Sequence, residues 1–274
     1  MGAATSAAAA APSAWRLGMD ALLRAGPALF ALGAAGLGLA NIVFVGQTAP
    51  LVAPPAHLRA FLAFPNLPPL PAAAYVLGAM MAALGVALFF RWARRSAAWA
   101  LATLYVLIAV MAGLPRVWAF PGDMGLRTVF LQDLAVAALA CLLSGRDALP
   151  PALERACRYA LAAGLVVFGV DHFLALAPIA TLVPAWMPAH LFWVAFFGAA
   201  FILAGLSLAS GWLLRWGAGL AGLMFALFDA TLHLPALLAN PNNADNCTNV
   251  LLVLALCGGL WALARPRHAA GSRA

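Results

Sequence analysis

The sequence predicts an all-α polytopic membrane protein, with eight transmembrane helices arranged as a tandem repeat of two four-helix bundles. Three observations carry that expectation. The chain of 274 residues is 66% apolar and 8% charged, against about 25% charged in a soluble domain. It therefore lacks the polar surface to cover a water-soluble globule. Eight apolar runs approach the roughly 20 residues that cross a bilayer. Displaced by 120 residues, the chain also matches itself in register.

Residues 1–25 read as an Ala-rich tail followed by a short interfacial helix. From Trp15 to Arg24, Leu17, Met19, Leu22 and Leu23 alternate with Arg16 and Asp20, a mixture suited to an anionic leaflet. Residues 26–145 form the expected first membrane unit, from the runs Pro27–Val45, Ala72–Phe90, Ala97–Leu114 and Thr128–Leu143. Residues 146–266 form the second, from Tyr159–Ala177, Leu191–Ala209, Leu213–Leu232 and Val250–Ala264. Residues 267–274 are a tail.

All fifteen basic residues are arginine. Twelve fall at the chain start or after even-numbered runs; Arg59, Arg116 and Arg127 fall on the other side. The positive-inside rule then places both termini in the cytoplasm. The net charge of +7 is dispersed along the sequence, so it marks topology and not nucleic-acid binding. The bilayer is the expected partner. Cys141, Cys157, Cys247 and Cys257 contain no C-x-x-C pair and read as free thiols packed as small hydrophobes. No metal site is expected.

The internal match places Pro68 on Pro188, Gly78 on Gly198, Gly85 on Gly205, Pro115 on Pro235 and Pro121 on Pro241. Glycines set helix contacts and prolines mark helix ends, so these matches outweigh chance apolar ones. The polar positions are not shared. Asp229 falls on Ala109 and His233 on Gly113, and with a gap Asp171 and His172 fall near Ala40 and Asn41. One half is thus chemically equipped and the other mainly structural.

A charged side chain at mid-bilayer costs about 2.5–3.5 kcal/mol on insertion scales, so an intramembrane ionisable residue is a candidate functional residue. Asp171 and His172 fall in the outer third of the fifth run, Asp229 and His233 near the outer end of the seventh. Asp229 and His233 are four apart and share a helix face. Asp171 and His172 are neighbours and point in different directions. The expected geometry sets one of them across from the Asp229–His233 pair, beneath the proline-rich loop carrying Trp186 and His190. The competing structural reading makes these residues interhelical hydrogen-bond partners, Trp186 an interface anchor, and Asp133 a tie to a neighbouring helix. Two histidines at similar depth are necessary for haem ligation but far from sufficient, and haem is not expected. Arg116 and Asp123 read as solvated loop charges.

The segments Gly169-Val170-Asp171-His172-Phe173 and Val183-Pro184-Ala185-Trp186-Met187-Pro188, then Gly198, Gly205 and Leu232-His233-Leu234-Pro235, resemble the DoxX-like membrane proteins. These are built from four-helix units, and the resemblance covers nearly the whole chain after Gly26. It implies that His172 and His233 occupy the family's histidine positions. It also implies a bacterial inner-membrane protein that binds a quinone or supports redox chemistry, through a partner redox subunit or as a homo-oligomer. Related chains carry an acid on the last helix of the unit where this chain has Gln132 and Leu252. No self-sufficient catalytic motif is present. The alternative expectation is a non-catalytic transporter of lipid or another small molecule, or a scaffold recruiting a partner enzyme.

Overall fold

The computed structural model describes residues 14–44 and 70–266. The Ala-rich tail, most of the first outer loop with His57, Arg59 and Pro68, and the tail with His268 lie outside the described residues. Among the described residues every regular element is a helix. They are α1 Ala14–Val43, α2 Leu70–Ala87, α3 Arg94–Ile108, α4 Leu114–Ala119, α5 Met124–Leu143, α6 Pro151–Leu174, α7 Leu176–Ala180, α8 His190–Ser210, α9 Leu214–Phe228, α10 Leu234–Ala239 and α11 Ala244–Ala264. A π-turn, Ala109–Gly113, joins α3 to α4, and another, Asp229–His233, joins α9 to α10.

Seven helical segments are long and apolar enough to cross a membrane: Gly18–Val43, Arg94–Ala119, Met124–Leu143, Pro151–Leu174, His190–Ser210, Leu214–Ala239 and Ala244–Ala264. They are what a multi-pass membrane protein requires. The second expected run has a shorter apolar stretch, Tyr75–Ala87.

Several boundaries differ from the sequence reading, each for a local reason. The interfacial helix and first apolar run are one helix, because α1 continues through Pro27. That continuity carries α1 across the expected boundary at residue 25. The prolines at 115 and 235 do not end their spans. A proline has no N–H and its ring crowds the carbonyl four residues back. Here the chain widens by one residue before each proline, with Leu114 N–H donating to Ala109 O and Leu234 N–H to Asp229 O. The helix then runs on to Ala119 and to Ala239. The last helix starts at Ala244, capped by Asn243, whose side chain accepts from Asn246 N–H. Asn246-Cys247-Thr248 is therefore helical. Asp123 caps α5 in the same way, accepting from Leu126 N–H, instead of serving as a solvated loop charge.

The helices form a closed circuit, α1–α2–α3–α5–α6–α8–α9–α11 and back to α1, with α5 and α11 also touching across the middle. The two units expected from the sequence are not separate bundles. The first helix of each lies along the last helix of the other, α1 on α11 and α6 on α5. The α1–α11 seam depends on glycine. A Cβ at Gly26 would stand 2.6 Å from Ala262 N, and one at Gly258 would stand 2.4 Å from Phe30 N. Small residues let backbones approach closely, which matters most where lipid supplies no hydrophobic drive between helices. The core beneath this seam is Phe30, Leu101, Val136, Leu139, Leu208 and Leu260, all essentially inaccessible.

At the arginine-rich end, arginines donate to the carbonyls that terminate helices. Arg94 bonds Leu88 O, Arg146 bonds Leu263 O and Arg215 bonds Ala264 O, at 3.0, 3.1 and 3.2 Å. A cation there completes orphan acceptors and opposes the negative end of the helix dipole.

Candidate functional site

Asp171 lies near the C-terminal end of α6 and is buried. Its Oδ1 is ion-paired with Arg127 Nη2, from the second turn of α5. The pair thus ties α5 to α6, one helix from each predicted unit. Asp171 Oδ2 and Arg127 Nε are buried without a hydrogen-bond partner among the described residues, so each group has capacity left over. Arg127 is the partner of a candidate residue that the sequence reading missed. The available signal was depth: it opens the fourth run at the same end of the molecule where Asp171 closes the fifth.

His172 points elsewhere, as expected for the neighbour of Asp171 on a helix. Its Nδ1 is 2.7 Å from Phe168 O, one turn back. Its ring packs against Phe201 of α8, with centroids 5.3 Å apart. The backbones can meet there because Gly169 and Gly198 face each other. A Cβ on Gly169 would stand 2.5 Å from Gly198 O.

Asp229 and His233 open and close the second π-turn. This turn packs against α11, and Asp229 lies within electrostatic reach of the Cys257 thiol on that helix. Asp229 Oδ1 is buried and has no hydrogen-bond partner among the described residues. Phe228, just before it, meets Phe197 edge-on at 4.8 Å and Phe201 at 5.9 Å. Phe201 therefore touches the His172 ring on one side and Phe228 on the other.

The structure thus corrects the expected four-residue cluster. Asp171 turns to Arg127, His172 turns to its own backbone, and phenylalanine rings stand between His172 and the Asp229–His233 turn. Among the described residues no group of three histidines, cysteines or acids is placed to hold a metal ion. Trp186 is 73% exposed, which suits an interface anchor and not a lid. His190 is the first residue of α8, half-buried, after a left-handed Ala189.

No family model, no curated protein and no solved structure matches the chain.

The first half also carries buried polar groups. Arg116 is buried within α4, 8% exposed, and interacts electrostatically with Asp133 of α5. Tyr105 of α3, whose hydroxyl is buried without a hydrogen-bond partner, senses the same carboxylate. Arg116 is therefore not a solvated loop charge, because α4 continues the span past Pro115 and draws it inward. At the corresponding positions 120 residues on stand Ala236, Val253 and Phe225. Each half thus carries a polar group that the other lacks.

Of the chemistry available, the Asp229 turn offers the most. It combines a buried acceptor that wants a donor, an imidazole on the same turn, and an aromatic wall.

Proposed function

We propose that the chain is a DoxX-like bacterial inner-membrane protein, a tandem repeat of two four-helix units with both termini cytoplasmic, and that it supports membrane redox chemistry by binding a quinone-type ring at the Asp229–His233 turn. The family reading rests on the sequence motifs that carry the resemblance. The repeat is supported by the two π-turns standing 120 residues apart, each before a proline and each followed by a helix capped through an Asp or Asn side chain. The orientation is supported by the arginines gathered at one end of the helices.

The observation that carries the functional reading is Asp229 Oδ1, buried and without a hydrogen-bond partner among the described residues. An unmet buried acceptor costs about 1–3 kcal/mol, and a ligand hydroxyl would meet it. A π-turn inside a helix is frequent at functional sites. The Phe197–Phe228 pair, meeting edge-on at 4.8 Å, sets aromatic side chains beside the turn. His233 would hold the second polar atom of the ligand, and His172, behind Phe201, plays no direct part.

The test is purification in mild detergent followed by extraction and mass spectrometry of bound small molecules. A stoichiometric quinone in the wild type, lost in Asp229→Asn and His233→Ala but kept in His172→Ala, is the expected result. A wild-type protein that neither retains nor rebinds quinone removes the reading. The competing scaffold reading is favoured by the Arg127–Asp171 pair, which absorbs one of the four sequence candidates into holding helices together. A stoichiometric partner enzyme in the same purification would support it.

A further inference from the structure

At the arginine-rich end, away from the Asp229 turn, two cavities adjoin. One is an apolar fissure of about 420 Å³ between the start of α1, the start of α9 and the end of α11, walled by Leu22, Leu23, Leu220, Leu223 and Trp261. The other, about 240 Å³, is lined by Arg146, Glu154, Arg155 and Arg158. They share Gly211 and Leu214, so an apolar slot adjoins a basic cup.

The charges in the cup do not cancel. Glu154 is ion-paired with Arg146 at 3.0 Å, and three arginines line the cup with that one glutamate. Among the described residues Arg158 makes one long bond of 3.4 Å, to Leu208 O, and its Nε is buried with no partner. Arg155 is exposed and makes no hydrogen bond or ion pair among the described residues. Arg215, at the mouth of the fissure, uses only Nε, on Ala264 O. The 24-residue helix α6 begins in the cup at Pro151, and a helix start favours an anion. Gly211 lets the Arg158 guanidinium pack close to the backbone. It sits at φ +75°, and a Cβ there would stand 2.7 Å from Arg158 Nη1.

We propose that fissure and cup together form a binding site for one anionic phospholipid of the leaflet at this end. The phosphate would lie among Arg155, Arg158 and Arg215, and an acyl chain would lie in the fissure. A free phosphate would have no use for the slot, and a neutral lipid none for the cup. The fissure also faces outward from the helix circuit, beside Leu22 and Leu220, which are 43% and 55% exposed. Basic pockets between membrane helices on the cytoplasmic side are suited to anionic headgroups. The proposal depends on the membrane reading but not on the quinone reading.

Native mass spectrometry of the detergent-purified chain, titrated with phosphatidylglycerol, phosphatidylcholine or inorganic phosphate, tests it. One phosphatidylglycerol should bind in preference to both of the others. Arg155→Gln should weaken it about fivefold, from roughly 1 kcal/mol per arginine near the surface. Because Arg155 makes no internal bond, that variant should keep the wild-type melting temperature. Leu220→Trp, which narrows the fissure and leaves every arginine in place, should weaken the lipid and leave phosphate binding unchanged. Equal binding of phosphatidylcholine, equal binding of phosphate alone, or unchanged lipid affinity in both variants would overturn the proposal.

Discussion

Arg127 and Asp171 face each other across the α5–α6 seam and close it with an ion pair. Asp171 is buried, and the Arg127 side chain is 27% exposed. Removing one partner of a buried pair leaves the other charge uncompensated, at about 3–5 kcal/mol. The partial exposure of Arg127 places Asp171→Ala toward the lower end, about 3 kcal/mol. Unfolding in detergent should show this loss, with Arg127→Gln/Asp171→Asn recovering part of it. Strict additivity in that cycle would mean the two side chains do not interact.

Asp229→Leu should stabilise the protein. The carboxylate oxygen is buried and unpaired, and replacing it with an apolar group of similar size recovers about 1–3 kcal/mol. The same variant should lose bound quinone. A lower melting temperature would show that Asp229 already has a partner within the protein.

His172 should be replaceable by phenylalanine. Its contacts are a bond to the carbonyl of its own helix and a ring packed on Phe201. His172→Phe keeps the ring contact, whereas His172→Ala forfeits an aromatic pair worth about 0.5–1.5 kcal/mol. Comparable melting temperatures for His172→Phe and wild type, with a lower one for His172→Ala, is the expected order. A collapse of His172→Phe would point to a polar duty for the imidazole.

Two glycines on α6 should respond with opposite signs to the same change. A Cβ at Gly164 would stand 3.8 Å from its nearest neighbour, so Gly164→Ala should be neutral or gain about 0.5–1 kcal/mol of helix stability. At Gly169 the Cβ would press on Gly198 O at 2.5 Å, and overpacking of this kind costs about 1–3 kcal/mol. Paired thermal melts of the two variants decide it. Equal melting temperatures would mean that α6 and α8 can separate freely.

Much of the helix layout was legible because it follows from composition and length. Runs of apolar residues near 20 long have few alternatives in a chain so poor in charge. The helix ends were less legible. Pro115 and Pro235 looked like terminators, and only the backbone reveals that a widened turn carries each helix past its proline. The candidate site was half legible. Asp171 and Asp229 were recognisable as candidate acids, since each interrupts a long apolar run. Their partners were not, because a partner is a matter of which helix lies alongside. Arg127 counted only toward topology until α6 was seen against α5. Arg116 looked solvated until α4 was seen to extend its span. Spacing along one helix could not reveal that Phe201 stands between His172 and the Asp229 turn.

The seam between α1 and α11 also constrains how the molecule is made. α1 leaves the ribosome early, and roughly 200 residues separate its end from the start of α11. At about 5–20 residues per second, the groove at Gly26 and Gly33 waits roughly 10–40 s for the helix that fills it. Throughout that interval lipid, or an insertion factor, must occupy the backbone-lined groove. A nascent chain stalled before Ala244 would present it bare to the quality-control machinery of the membrane.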